Sequence, residues 1–254
     1  MLSLRELGRQ MAISHSALSR LPRALGLPNY AALQAIFRKG MRFEGSSLNA
    51  RAKSHRKRRA QVSVESAIHR ELASISSGLS ADLQARLKEA AQLLLKGSRI
   101  WLLGRRSSFG LAYAAWHLLA AMRRDVTLLD VAGGTGVDML IDAGPEDVLL
   151  AIGTNRVAAE TLHIAALAKR RGVVVIAIVD DVRSPLIAGA RIALVAPGLR
   201  DAAMPGFLGA AALIGGLLDE ALALREVAQG RRLAAMDRLL LEASEFGEDA
   251  IEPD

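Results

Sequence analysis

A chain of 254 residues with 51% hydrophobic residues can bury a sizeable core, but with aromatics at only 4% the packing must fall to Ala, Leu, Val and Ile. No cysteine is present, which excludes disulfides and thiolate metal sites and fits a reducing cytoplasm. Arg5, Glu6 and Arg9 follow Met1 too closely for a signal-peptide core, and the longest apolar stretch, Phe207 to Leu218, is about half the roughly 20 residues of a membrane span. A soluble cytoplasmic protein with no membrane association is expected.

The net charge of +7 is unevenly spread. Residues 1–60 hold 13 Lys/Arg against two acids, Glu6 and Glu44, and the rest holds 20 basic and 24 acidic residues. A basic end on a mildly acidic body suits a polyanion-binding module, although a solvated basic tail would carry the same charge.

In chain order, residues 1–43 read as short helices joined by tight turns. Leu4, Leu7 and Met11 fall on one face of a first helix, and Gly8 leaves room for close approach. Ala12-Ile13 makes a turn, Ser14 can cap the next helix, and Leu18, Leu21 and Leu25 form that helix's inner face. Outward lie His15, Ser16, Ser19, Arg20 and Arg23. Two helices around a short turn, the second with a small, polar and basic outer face, match the helix-turn-helix unit that enters a major groove. Ser14, His15 and Ser16 at the helix start would face phosphates or base edges, while Ser19 and Arg20 could reach bases. Arg5, Arg9, Arg38 and Lys39 would position the DNA backbone. An ordinary helical hairpin is the plain alternative. Pro22 removes one hydrogen bond from the second helix and predicts a kink after Leu21.

Residues 44–61 are polar, small and basic, a linker ending in Arg56-Lys57-Arg58-Arg59. From residue 62 to residue 254 the pattern becomes helix and then alternating strand and helix. Strands are predicted at Arg99–Leu103, Val126–Asp130, Asp147–Ile152, Val173–Val179 and Arg191–Val195. Helices are predicted within 62–95, at Phe109–Met122, at Ala158–Arg171 and around Ala203–Ala228. This alternation implies βαβ crossovers and a parallel sheet covered on both faces. Glu242–Asp254 reads as a solvated acidic end, and Gly133-Gly-Thr-Gly136 as flexible backbone rather than a phosphate loop.

Two turns follow predicted strands and precede predicted helices. Gly104-Arg-Arg-Ser-Ser-Phe-Gly110 brings Gly104, Arg106, Ser107 and Ser108 to a helix start, where hydroxyls and free N–H groups suit an anion. Its spacing does not match a dinucleotide loop. Gly153-Thr-Asn-Arg156 offers the hydroxyl of Thr154, the amide of Asn155 and the guanidinium of Arg156. Such turns at the carboxyl ends of parallel strands are where α/β sheets bind ligands, although plain helix capping would use the same residues.

These features together resemble the RpiR/MurR family of regulators, in which a helix-turn-helix precedes a SIS (sugar isomerase) domain. The similarity is carried by Ser3-Leu-Arg-Glu-Leu7, Ile13-Ser-His-Ser-Ala-Leu-Ser-Arg20, Leu25-Gly-Leu27 before Tyr30, Gly104 with Arg106-Ser-Ser108, Glu160-Thr161, and Ser184-Pro185 followed by Ala190. It implies a flavodoxin-like SIS domain with a five-stranded parallel sheet, preceded by a small all-α helix-turn-helix module. It also implies oligomerisation through that domain and often a phosphosugar effector, with Ser184 added to the candidate ligand residues. The chain departs from the family where sugar-phosphate SIS domains carry a Ser-x-Ser-Gly-x-Thr loop. The aligned positions here are Gly153, Asn155, Arg156 and Ala158, so a small anionic metabolite, phosphosugar or sugar acid, is the broader expectation. The family's first N-terminal helix also has no counterpart before Leu4.

The function expected is therefore a transcriptional regulator that binds a double-stranded DNA operator as a homodimer or tetramer and senses a small anion. No catalytic residue, metal or cofactor is expected. The alternatives are a sugar-phosphate isomerase, for which Glu160, His117 and His163 would be the available acid–base groups, and a non-catalytic SIS scaffold.

Overall fold

The computed structural model describes residues 14–24, 28–30, 32, 64–129, 136–154, 156–196, 207–224 and 230–243. The chain divides into two compact units, residues 1–57 and 58–254.

In the first unit, α1 (His15–Ala24) starts directly after Ser14, where the sequence places the second helix of the pair. It continues two residues past Pro22, to Ala24. It differs from expectation in the residues that it buries. Leu21, assigned above to the inner face, is 41% exposed, while Pro22 is buried. Successive helical residues point about 100° apart, so the buried line passes through position 22. At the next turn the Asn29 side-chain oxygen accepts the Ala32 N–H at 2.9 Å, as an N-cap residue does. The predicted first helix with Leu4, Arg5, Leu7, Arg9 and Met11, together with Leu25, Arg38, Lys39 and the linker 44–61, lies outside the described residues.

The second unit opens with α2 (Val64–Gly78) and α3 (Ala81–Lys96). Ser80 caps α3 by accepting the Leu83 N–H at 3.1 Å, and Asp82 and Lys96 lie at the ends where the helix dipole favours their charges. Strands and helices then alternate: β1 (Ile100–Gly104), a 3-10 turn at Arg106–Ser108, α4 (Phe109–Met122), β2 (Val126–Leu128), β3 (Val148–Gly153), α5 (Ala159–Arg170), β4 (Val174–Val179), a 3-10 turn at Pro185–Gly189 and β5 (Ile192–Val195). Two helices, α6 (Leu208–Ala223) and α7 (Gly230–Glu242), follow.

All five strands run parallel in the order β2-β1-β3-β4-β5, the flavodoxin-like arrangement. Every residue of β1 and β3 is buried, as a sheet covered on both faces requires. Alternate residues face opposite ways. Ile100, Leu102, Val148, Leu150 and Ile152 pack against the buried sides of α3, α4 and α6. Trp101, Leu103, Leu149 and Ala151 pack against Ile164, Ala165 and Ala168 of α5. Helices α4 and α5 therefore cover opposite faces of the sheet.

Element boundaries shift slightly from those predicted. Strands β1, β3, β4 and β5 each start one residue later. The flanking residues Arg99 and Asp147 still pair through their carbonyls, accepting the N–H groups of Val148 and Val174. Helix α4 has the predicted ends, and α7 was not anticipated; Arg232 within it donates to the Ala120 carbonyl at 2.7 and 3.1 Å. The Arg123 guanidinium takes the carbonyls of Leu94, Gly97 and Ser98 at 2.7–2.9 Å, closing the end of α3. Burial pulls the Arg123 pKa below its usual value, and neighbouring Asp125 opposes that pull. Among the described residues, no helix is long and apolar enough to cross a membrane.

Candidate ligand site

Because β1 and β3 are neighbours while α4 and α5 lie on opposite faces, the loops leaving these strands diverge at the carboxyl edge of the sheet. This is the topological switch point, where doubly wound sheets take their ligands.

The first loop is folded tightly against its strand. Gly104 ends β1, and a Cβ there would stand 2.4 Å from the Ser108 carbonyl oxygen and 2.8 Å from the Ala112 Cβ. Glycine is needed so that the turn can close over the strand end; Gly104 is buried and shapes the loop. Arg106 follows with φ 54°, a left-handed conformation unusual for a side chain of its size. Arg106 and Ser107 are exposed, whereas Ser108 is buried.

The second loop leaves β3 at Gly153, where a Cβ would meet Val157 at 2.9 Å and Leu186 at 3.1 Å. Thr154 is buried, Arg156 is exposed, and Asn155 lies outside the described residues. The N-cap position of α5, Ala158, supplies no side-chain hydrogen bond.

Described residues of the two loops meet at Ser108 with Thr154 and at Arg105 with Glu160. The Ser108 hydroxyl accepts the Thr154 N–H at 3.1 Å and shares a second hydrogen bond of 3.1 Å with the Thr154 hydroxyl. Arg105 pairs with Glu160, in the first turn of α5, at 2.8 Å. Ser108 and Thr154, both nominated as ligand residues, are thus brought together but satisfy each other. Ser184 belongs to the loop after β4; its hydroxyl oxygen is buried and, among the described residues, has no hydrogen-bond partner. Beside it, Asp181 and Arg183 form an ion pair at 2.6 Å.

Sequence reasoning missed Arg105 as a site residue and named Glu160 as a catalytic candidate and as part of the family resemblance, not as a partner of Arg105. The sequence shows an arginine after one predicted strand and a glutamate at the start of a later helix, but nothing in their spacing pairs them. The other acid–base candidates, His117 on α4 and His163 on α5, are exposed and sit on opposite sides of the sheet. Of the DNA-contact candidates, Ser14, Arg20 and Arg23 are exposed; His15, Ser16 and Ser19 lie in α1, with side chains outside the described set. Among the described residues, no cluster of three or more His, Cys, Asp or Glu could hold a metal ion.

The fold and the paired turns at its switch point define a doubly wound α/β domain. Residues 93–213 match the SIS domain family, and this part of the chain is a SIS domain. No curated protein sequence matches the chain. Among solved structures, the sugar isomerase domain of an RpiR transcription factor from Sphaerobacter thermophilus is similar, with a TM-score of 0.59 and 20% identity over 70% of this chain and 97% of that one. The Vibrio vulnificus NanR protein complexed with ManNAc-6P gives a TM-score of 0.60 and 15% identity over 96% of this chain and 87% of that one. A protein of E. coli CFT073 gives a TM-score of 0.50 and 17% identity over 70% of this chain and 95% of that one. At such identities the likeness establishes the fold.

Proposed function

We propose that the chain is a transcriptional regulator of the RpiR type, whose SIS domain binds a small anionic metabolite and whose N-terminal module binds operator DNA. The observation that carries this reading is the switch point of a SIS domain flanked by Arg105, Arg106 and Arg156. Three guanidinium groups and the hydroxyl of Ser107 suit a phosphosugar or a sugar acid. The likeness to a regulator solved with ManNAc-6P supports the same assignment. The concentration of positive charge in residues 1–60, and the exposed Arg20 and Arg23 on α1, support DNA as the second partner. A homodimer or tetramer in the cytoplasm would present two such modules to a pseudo-palindromic site.

The isomerase alternative is disfavoured by geometry. His117 and His163 cannot converge on one substrate from opposite sheet faces, and Glu160 is engaged by Arg105.

The test is selection of bound genomic DNA fragments by the purified protein, followed by titration of the recovered site with a panel of phosphosugars and sugar acids. At least one panel member should change operator affinity, and the operator should change that ligand's affinity by the same factor. Arg20→Ala should weaken binding to the selected site by about 1–3 kcal/mol with little effect on random DNA. Failure to enrich any fragment over bulk DNA would refute the regulator reading.

A further inference from the structure

Toward the end of α1, Arg20, Leu21, Arg23 and Ala24 are exposed while Pro22 is buried. Ala24 lies about 40° from Arg20 around the helix axis, Leu21 about 100° in the same sense and Arg23 about 60° in the other. Pro22 lies about 160° from Arg20, so the exposed residues form one continuous face turned away from the buried side. That face has two halves. Arg20 and Arg23 make one cationic, and Leu21 and Ala24 make the other apolar.

Residues 1–60 hold 13 Lys/Arg against two acids, and the cationic half suits the DNA proposed above. The apolar half needs a counterpart of its own. A leucine pressed against phosphates or polar base edges strips water from them and returns no hydrogen bond. In the major groove the apolar group on offer is the C5-methyl of thymine. A protein partner would call for contiguous apolar surface on the order of a few hundred Å², far more than an alanine methyl and a leucine at 41% exposure supply.

We infer that Leu21, with Ala24 beside it, reads a thymine methyl in the operator, close to the base contacted by Arg20. The inference rests on the DNA-binding reading above and adds a specificity-determining residue to it. Arg20 and Ala24 are about 6 Å apart along the helix. Base pairs rise about 3.4 Å each, so the thymine lies within about two base pairs of the guanine that suits Arg20. Burial of one methyl is worth about fourfold in affinity.

The experiment uses the full-length protein and the DNA fragment recovered by selection. In a series of copies, single thymines are replaced by deoxyuridine, which removes the methyl and leaves the hydrogen-bonding edges intact. Competition binding at fixed salt should show a loss of about fourfold for wild type at one thymine of a half-site. Leu21→Ala should weaken the thymine operator by a similar factor and bind the thymine and deoxyuridine forms alike, while Leu21→Met keeps the preference. Arg20→Gln should weaken both forms and still prefer thymine. Circular dichroism and an unchanged affinity for random DNA check that the Leu21 variants are folded.

If no deoxyuridine replacement changes wild-type affinity, or if Leu21→Ala keeps the preference for thymine, Leu21 does not read the base. The inference is then refuted, while DNA binding stands. If no fragment is enriched over bulk DNA, the DNA-binding reading fails, and this inference with it.

Discussion

Replacing Ser108 with alanine tests the hydroxyl pair that joins the two ligand loops. The Ser108 oxygen accepts the Thr154 N–H and also bonds the Thr154 hydroxyl, each at 3.1 Å, and the two residues are 2% and 1% exposed. Ser108→Ala leaves a buried N–H without an acceptor, at about 1–3 kcal/mol, and deprives the hydroxyl of its partner, at about 1 kcal/mol more. The expected loss is about 2–4 kcal/mol, a fall in Tm of about 4–16 °C for a domain of this size. Thr154→Val removes the hydroxyl but keeps the N–H bond, and should cost about 1 kcal/mol. In the double variant the orphaned hydroxyl no longer exists, so its cost should fall short of the sum of the single costs by about 1 kcal/mol. Urea unfolding followed by circular dichroism gives all four stabilities, with unchanged m-values as the check on two-state behaviour. A wild-type midpoint for Ser108→Ala, or strict additivity in the double variant, would show that the two loops are not joined through these hydroxyls.

Gly104→Ala places a Cβ 2.4 Å from the Ser108 carbonyl and should cost about 3 kcal/mol or more by calorimetry, with loss of any ligand-induced stabilisation; a variant of wild-type stability refutes the close packing of the turn. At Arg106, with φ 54°, glycine should be more stable than alanine by about 1 kcal/mol, the reverse of the order in a helix, and both should weaken anion binding. Chemical denaturation of the two variants side by side decides this, and equal midpoints would refute the strained turn. Arg123→Gln cannot reach the carbonyls of Leu94, Gly97 and Ser98 together and should lose about 2–3 kcal/mol in the same assay. A loss below 0.5 kcal/mol, roughly the effect of an ordinary surface change, would mean that water serves these carbonyls equally well.

How much of this was legible depended on whether a property lay in a local pattern or in a long-range contact. The run Val173 to Val179 is apolar throughout and rich in β-branched residues, as a strand covered on both faces is, and β4 occupies it from Val174. The glycines at 104 and 153 signalled turns but proved to be the final strand residues, because the following loop folds back onto each. Ser107 and Ser108 are chemically identical and adjacent; only the path of the turn decides that one faces solvent and the other bonds Thr154. The pairing of Arg105 with Glu160 depends on two loops from neighbouring strands, and no spacing rule connects them. Helix α7 escaped notice for a related reason: its Arg232 is anchored on the carbonyl of a residue in α4, over a hundred positions earlier. In α1, the identity of the buried side turned on Pro22, whose helical propensity argues against the place it occupies.

The chain contains two tryptophans, and the sheet places one on each side. Trp101 is buried against the α5 layer, with the Arg99 guanidinium 5.5 Å from its ring centre. Trp116 packs on the opposite layer, 5.4 Å from the Tyr113 ring, with its indole N–H directed at the Val126 carbonyl. Each indole is therefore an optical probe of one layer alone. Trp101→Phe leaves fluorescence that reports the α4 side, and Trp116→Phe leaves fluorescence that reports the α5 side. Emission from the two single-tryptophan proteins can then reveal whether both layers melt together, or whether one dissolves while the other still holds the strands.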